Sequence, residues 1–434
     1  MKDFRIFLLF FVFCILISSC KKDEDISYPT IVFSAPGGNQ TFNVLSSINI
    51  RANISDDSKI SIIEVNLVDE NLIPVLSSVS ISPNTSNYDL NIDYSISNIT
   101  LKSGTYFVHI YAADEFGNNK HKYLQISLNA IPKKFKFVTL VNYVNSNTIG
   151  AIKIDSLNNI VNLFSAVSDY SASESNCNSQ QLLVAGKIFG DLNAFGFNTN
   201  QYCWTEPVVS SPPFAYFTNM KRIGENIYVS FFEGDIRAFN SSGAQVESVN
   251  PIAGMYPMKV IQFGNYLLVD YYFKAAPNYF NLVLFTFSTF SISQQLQTDM
   301  QIVDFFEKDN ENVYVFGNTA GQAEFKRYNV QNNALSTVIN LPVGKMNSVT
   351  QISSDDFLIA HETGVFLYSI STNLFTNVIP LTNAKKIKFE ELNSEIYIAE
   401  PHKLSKYNYP GFGLINSINI TDSILDLHLI YNKN

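Results

Sequence analysis

Two histidines and two glutamates form the set in this chain best suited to chemistry: His361-Glu362 and Glu400-Pro401-His402. They fall at matching places in neighbouring repeats. A fold that stacks those repeats would bring two imidazoles and two carboxylates to one rim. Such groups can bind a divalent cation or act as general acid and base. They suit a hydrated polar rim equally well, and no third and fourth ligand stands at a diagnostic spacing, so no catalytic or metal set is assigned. A second set is aromatic. Between Asp270 and Phe280 the chain places Tyr271, Tyr272, Phe273 and Tyr279 in a segment longer than its equivalents elsewhere. Exposed, these rings would stack on a sugar, a planar cofactor or a protein; packed between repeats, they would be core. Lys187 with Phe189, Phe231 with Phe232 and Glu233, and Asn318 occupy the equivalent turns of other repeats. The candidate ligand-binding rim is therefore Lys187, Phe231, Glu233, Tyr271, Tyr272, Tyr279, His361, Glu362, Glu400 and His402.

Several chemistries lack their motifs. The chain has no Gly-x-Ser-x-Gly elbow, no His-Glu-x-x-His and no Gly-x-x-x-x-Gly-Lys-Ser/Thr phosphate loop. Paired carboxylates for glycoside cleavage stay open, because the separation that matters there is spatial. Of four cysteines, Cys177 and Cys203 are the candidate disulfide, and a cross-link over that separation would stabilise by roughly 3 kcal/mol if the geometry permits it. Two separate thiols are the alternative.

Positioning such groups falls to strands. Hydrophobic residues make up 46% of the 434 and charged ones 15%, a globular composition with room for a sizeable core. The aromatics are 35 Phe and 23 Tyr with one Trp, which favours β-structure. A formal charge of −9 argues against a nucleic-acid partner and against a polybasic lipid-binding face.

From residue 135 to 434 a unit of about 40 to 46 residues recurs, a period that belongs to β-propellers. Each unit has an apolar strand, a short turn and a second strand ending in an aromatic. Examples are Leu182-Leu183-Val184-Ala185 with Phe195, Ile227-Tyr228-Val229 with Phe239, and Leu267-Leu268-Val269 with Phe285. Val313-Tyr314-Val315 with Tyr328, Phe357-Leu358-Ile359-Ala360 with Tyr368, and Ile396-Tyr397-Ile398-Ala399 with Tyr407 follow. Val138-Thr139-Leu140-Val141 with Ile154 makes a seventh. A blade should open with a strand like Ile302-Val303-Asp304-Phe305-Phe306, and the first unit has none. The chain ends instead with Ile424-Leu425-Asp426-Leu427-His428-Leu429, which predicts that the C-terminal strand completes the first blade and closes the ring. Such blades resemble those of YncE-like and quinoprotein-like propellers. A quinone-dependent dehydrogenase is disfavoured, because that family carries repeated tryptophan motifs and this chain has only Trp204.

Residues 28 to 130 alternate with period two, as in Ile48, Ile50, Ala52, Ile54 and again in Tyr106, Val108, Ile110, Ala112. Turn signals recur every 8 to 12 residues, which predicts a β-sandwich. Asn53-Ile54-Ser55-Asp56-Asp57 and Ala113-Asp114-Glu115-Phe116-Gly117-Asn118 resemble turns of bacterial Ig-like domains, the second being the hairpin before the last strand. Asp56, Asp57 and Asp114 are read as turn residues in preference to calcium ligands. Residues 131 to 134 read as a linker. The fold class is all-β: an Ig-like sandwich, then a seven-bladed propeller.

The first 19 residues read as a secretory signal, with Lys2 and Arg5 before an apolar run too short to span a bilayer. Ile17-Ser18-Ser19-Cys20 resembles a bacterial lipobox, and Lys21-Lys22-Asp23-Glu24-Asp25 resembles the export signal of Bacteroidota surface lipoproteins. This resemblance implies cleavage before Cys20, a lipid anchor on that cysteine, a tether over residues 20 to 27 and an outward-facing place on the outer membrane. Asp155-Ser156-Leu157 and Asp422-Ser423-Ile424 resemble the short O-glycosylation pattern of the same group. Surface lipoproteins of related layout serve nutrient capture, which implies a glycan, a small nutrient or an outer-membrane protein as partner. A polysaccharide lyase or hydrolase and a non-catalytic scaffold are the alternatives.

Overall fold

The computed structural model describes residues 25–209, 215–276 and 278–433. The expected signal peptide and Cys20 lie outside the described residues. Among those described, no helix is long and apolar enough to cross a membrane. The chain divides into two compact units between Pro132 and Lys133.

The first unit is a sandwich built on one long strand. Its strands are β1 (Thr30–Ala35), β2 (Gln40–Asn43), β3 (Ser47–Val68), β4 (Val79–Ile81), β5 (Thr85–Ser95), β6 (Gly104–Asp114) and β7 (Asn119–Asn129). The first half of β3 pairs with β1 and β5, and its second half with β4 and β6. β7 continues from β6, and β2 runs parallel to β7 at the edge. Asp56 and Asp57, expected in a turn, lie within β3. The register breaks there between Ser55 and Ile60 as the strand passes from one layer to the other, so acidic residues mark a bend and not a chain reversal. The Asp114 hairpin forms as expected between β6 and β7, with Asp114 Oδ1 accepting from the Phe116 and Asn118 amides at 2.9 and 2.8 Å. Alternate residues such as Ile48, Ile50, Ile54, Ile63 and Val65 are fully buried between the layers.

The second unit is a ring of seven four-stranded antiparallel sheets. In blades two to seven the chain fills the sheet in order from the centre outward. Blade one differs: Phe135–Asn145, Thr148–Ile154 and Ile160–Val167 form its outer three strands, and the C-terminal strand Ser423–Tyr431 forms its innermost. The predicted closure is therefore the observed one. Second strands such as Gln181–Ala185 and Tyr266–Phe273 are covered on both faces by neighbouring blades, which explains the apolar runs Leu182 to Ala185 and Leu267 to Val269 within them. An apolar layer separates each blade from the next. The one between blades seven and one packs Tyr397, Ala399 and Leu404 against Leu140, Ile424 and Leu427.

Closure thus rests on a few side chains of the last strand. Leu427 is fully buried at this layer, so Leu427→Ala should lower stability by about 2 to 5 kcal/mol. Leu414→Ala, on an outer strand with its side chain 59% exposed, should change stability by less than about 0.5 kcal/mol. Urea unfolding followed by intrinsic fluorescence compares them. Equal effects would contradict the closing role of the last strand.

Candidate functional site

The sequence-derived rim separates in three dimensions. Lys187, Glu233, Glu362 and His402 are exposed on turns, and Tyr279 is 54% exposed. Phe231 and Tyr271 are instead fully buried core residues, in the apolar layers on either side of blade three. The second strand of blade four runs on through Tyr271 and Tyr272 to Phe273, because the ladders to its two neighbouring strands continue that far, and the connecting turn is correspondingly shorter than the sequence suggested. His361 is also fully buried. Its Nδ1 lies 2.9 Å from Thr363 Oγ1, and its ring meets Phe366 edge-on. Glu362 accepts the Lys345 amide at 3.0 Å, and the buried Glu400 pairs with Lys403 at 2.6 Å. Among the described residues, no three of the ligand atoms of His361, Glu362, Glu400 and His402 come within 4.8 Å of one another. His361, Glu362 and Glu400 make local contacts, and the four form no shared site.

Other groupings change as well. Cys177 and Cys203 are not bonded to each other. Cys177 follows the innermost strand of blade two and Cys203 lies on its outermost, with two strands between them. At about 4.8 Å per strand the two are roughly 14 Å apart, beyond the reach of a disulfide. Asp56 and Asp114 are joined by Asp25, whose carboxylate lies within 4.8 Å of both. Hydroxyl and amide groups of Ser27, Ser58 and Asn118 already bridge these carboxylates. One rim element is built firmly. The Asp169 carboxylate accepts amides of Lys187, Ile188, Phe189 and Gly190 at 2.8 to 3.3 Å, which holds the turn carrying Lys187 and Phe189. A side chain at Gly190 would collide with Ser168.

The groups that do converge line the axis of the ring. Innermost strands of all seven blades enclose a cavity of about 480 Å³. Into it project Ser173 and Glu174 of blade two, Asn219 and Lys221 of blade three, Lys259 of blade four and Asp304 of blade five. Asn347 of blade six, Lys386 and Lys388 of blade seven, and Asp426 and His428 of the closing strand complete the circle, with Lys345 exposed beside Asn347. Another hollow, in the first unit, offers little chemistry, since Asp93 is the only charged side chain among the described residues that line it.

Lysines outnumber carboxylates in the channel by five to three. Lys221 pairs with Asp304 at 3.8 Å and Lys386 with Asp426 at 3.3 Å. Asp426 also accepts from Tyr170 at 3.0 Å and lies 3.2 Å from Ser173, whose Oγ is 2.8 Å from His428 Nε2. Burial alone would raise both carboxyls, but the surrounding lysines hold Asp304 and Asp426 below the ordinary range and so ionised. Burial lowers the His428 pKa against the pull of Asp426, favouring the neutral ring. Glu174 spends its oxygens on the Ser175 and Arg222 amides. Among the described residues, no carboxylate lies within 4.0 Å of the amine of Lys259 or Lys388. The Lys259 pKa is lowered, first by burial and then by repulsion from Lys386 and Lys221, with Asp304 opposing.

Behind this wall sits a second unbalanced group. Asp270 is fully buried, and neither of its oxygens has a hydrogen-bond partner among the described residues. Burial raises its pKa well above the usual value against the opposing field of Lys259, which favours the neutral acid. Its neighbour Tyr272 lines the channel and belongs to a run of rings, Phe232 to Tyr256 at 4.7 Å, Tyr256 to Tyr272 at 5.6 Å and Tyr272 to Phe280 at 4.5 Å. The inner-strand residues were accessible to sequence reading only as the polar positions of strands such as Val303-Asp304-Phe305 and Leu425-Asp426-Leu427-His428.

A raised acid stabilises the fold while it is protonated and loses that contribution as pH climbs through its folded value. Wild-type stability should therefore fall relative to Asp270→Asn as pH rises from about 4, near the unfolded value, toward about 8. The difference should change by at least about 1.4 kcal/mol over this range, the equivalent of one pKa unit. Thermal unfolding of the two proteins across this range checks it, and a constant difference would contradict the assignment.

The bacterial Ig domain family matches residues 29–110. No curated protein matches the sequence. Among solved structures, similarity is found to Chaetomium thermophilum Raptor, at a TM-score of 0.47 and 9% identity over 61% of this chain and 27% of that one. A chain of the mitotic checkpoint complex gives 0.46 and 10% identity, over 58% of this chain and 80% of that one. The computationally designed Ika8 protein gives 0.42 and 9%, over 69% and 92%. This chain spans about a quarter of the length of the Raptor chain. It carries a bacterial Ig domain followed by a seven-bladed β-propeller.

Proposed function

We propose that this protein is a lipid-anchored envelope protein, held on the outer membrane through Cys20 and facing outward, whose propeller captures a ligand in its central channel. The observation that supports ligand capture is the channel lining: five lysines and three carboxylates gathered on one axis of a chain whose formal charge is −9. Like charges crowded in a low-dielectric enclosure oppose folding, and such arrangements cluster at functional sites. The bacterial Ig domain serves as a spacer from the membrane. Nutrient capture is the role this layout suits, with a glycan or small nutrient as ligand or an outer-membrane protein as partner. A polysaccharide-cleaving role has less support. Asp304 and Asp426 are both held ionised by lysines, so neither supplies the protonated acid that glycoside hydrolysis needs.

Two measurements test this reading. Cells fed an alkyne-tagged fatty acid should label the wild-type protein and leave Cys20→Ser unlabelled; labelling of both would remove the anchor assignment. A thermal-shift screen of the chain from Lys21 onward should find at least one compound among glycans, corrinoids, haem, metals and organic acids that raises the midpoint. Ligand at about 100 times its Kd adds roughly 2.7 kcal/mol to the native state. Asn347→Phe, which narrows the channel, should abolish the shift. A shift that survives that substitution would place the ligand elsewhere, and no shift with any compound would favour a scaffold.

A further inference from the structure

We propose that the channel ligand is a small oxyanion, carrying carboxylate or phosphate groups, and that Lys259 and Lys388 are its principal contacts. This rests on the channel being the binding site. The argument is one of charge already committed and charge left over. Lys221 and Lys386 each face a carboxylate at 3.8 and 3.3 Å, and Lys403, outside the channel, faces Glu400. Lys259 and Lys388 come from blades four and seven, line the same cavity and have no carboxylate within 4.0 Å among the described residues.

A half-buried ammonium held near like charges is unfavourable in the empty protein and becomes favourable once an anion enters. The remaining lining is polar but largely engaged: Asn219 and Asn347 donate to the Met258 and Ala384 carbonyls, Ser173 meets His428 and Ser348 accepts the Ile387 amide, which leaves the lysines as the groups open to a ligand. A volume near 480 Å³ lies within the range of small-molecule sites and is far too narrow for a folded partner. The outer surface of an acidic chain repels anions in general, so the positive interior selects those small enough to pass the mouth.

Lys259 also couples binding to protons. Its pKa is lowered by burial and by Lys386 and Lys221, while Asp304 and Asp426 oppose the shift. An anion beside it restores the charged form. Binding should therefore take up a proton wherever Lys259 is partly neutral in the empty channel. Thermal unfolding of each variant without probe separates loss of binding from failure to fold.

The test uses the chain from Lys21 onward with pyrophosphate, citrate and glucuronate as probes, and sodium chloride at matched ionic strength as reference. Pyrophosphate or citrate should raise the unfolding midpoint beyond the chloride reference. The Lys259→Met, Lys388→Met double variant should lose at least tenfold in affinity by titration calorimetry. Lys122→Met, an exposed site in the bacterial Ig domain, should behave as wild type. Calorimetry in buffers of different ionisation enthalpy should show proton uptake at alkaline pH that Lys259→Met removes. Anion shifts no larger than chloride, or unaltered by the double variant, would overturn the proposal. If only neutral glycans shift the midpoint, and Asn347→Phe abolishes that shift, the channel remains the binding site and the anion assignment alone fails. If no probe of either kind shifts it, both fail.

Discussion

Everything in the second unit depends on the pairing of the last strand with the first. Ser423–Tyr431 hydrogen-bonds along Phe135–Asn145 and supplies the inner strand that blade one lacks. Without it the ring has two open edges, and the layer holding Leu140, Tyr397 and Leu427 has no second side. The same strand carries Asp426 and His428 into the channel. One interaction therefore closes the fold and completes the lining of the axis, so the stability of the ring and the chemistry of its centre are joined in nine residues.

The channel is where the fold gives up stability. Seven inner strands point alternate side chains at a common axis, and geometry forces whatever stands there into close company. In this chain the company is charged and unbalanced. The carboxylates are engaged by lysines, hydroxyls or amides, and Lys259 has its charge opposed by burial, with Asp304 pulling the other way and Lys386 and Lys221 adding repulsion. Asp270, one layer back, is a second departure from an apolar interior. Two such groups side by side are hard to explain as packing, because a methionine and a leucine would fill the same space at lower cost. A requirement for charge in the channel explains Lys259 directly.

Architecture was legible in the sequence because burial on two faces writes itself as unbroken apolar runs. The second strands of the blades, Leu182 to Ala185 or Leu267 to Val269, could hardly be anything else. The closing strand was legible by its likeness to Ile302-Val303-Asp304-Phe305-Phe306. Turns were less so, since Asp56 and Asp57 read the same whether the chain reverses or bends within β3. The site was largely hidden. A histidine beside a glutamate looks like chemistry, yet His361 is a fully buried residue bonded to Thr363. Tyr271 and Tyr272 differ by one position, and the period of a strand sends the first into the core and the second to the channel wall. Lysines scattered at 221, 259, 386 and 388 carry no common motif, and only closure of the ring brings them within one cavity.

The most direct test of a positive, anion-accepting axis is to locate an oxyanion on it. A crystal of the protein soaked in tungstate, measured at the tungsten absorption edge, would place each bound anion by its anomalous signal. A peak on the ring axis within hydrogen-bonding distance of the Lys259 and Lys388 amines is the result predicted here. Peaks confined to the outer surface, with only water between the inner strands, would contradict it.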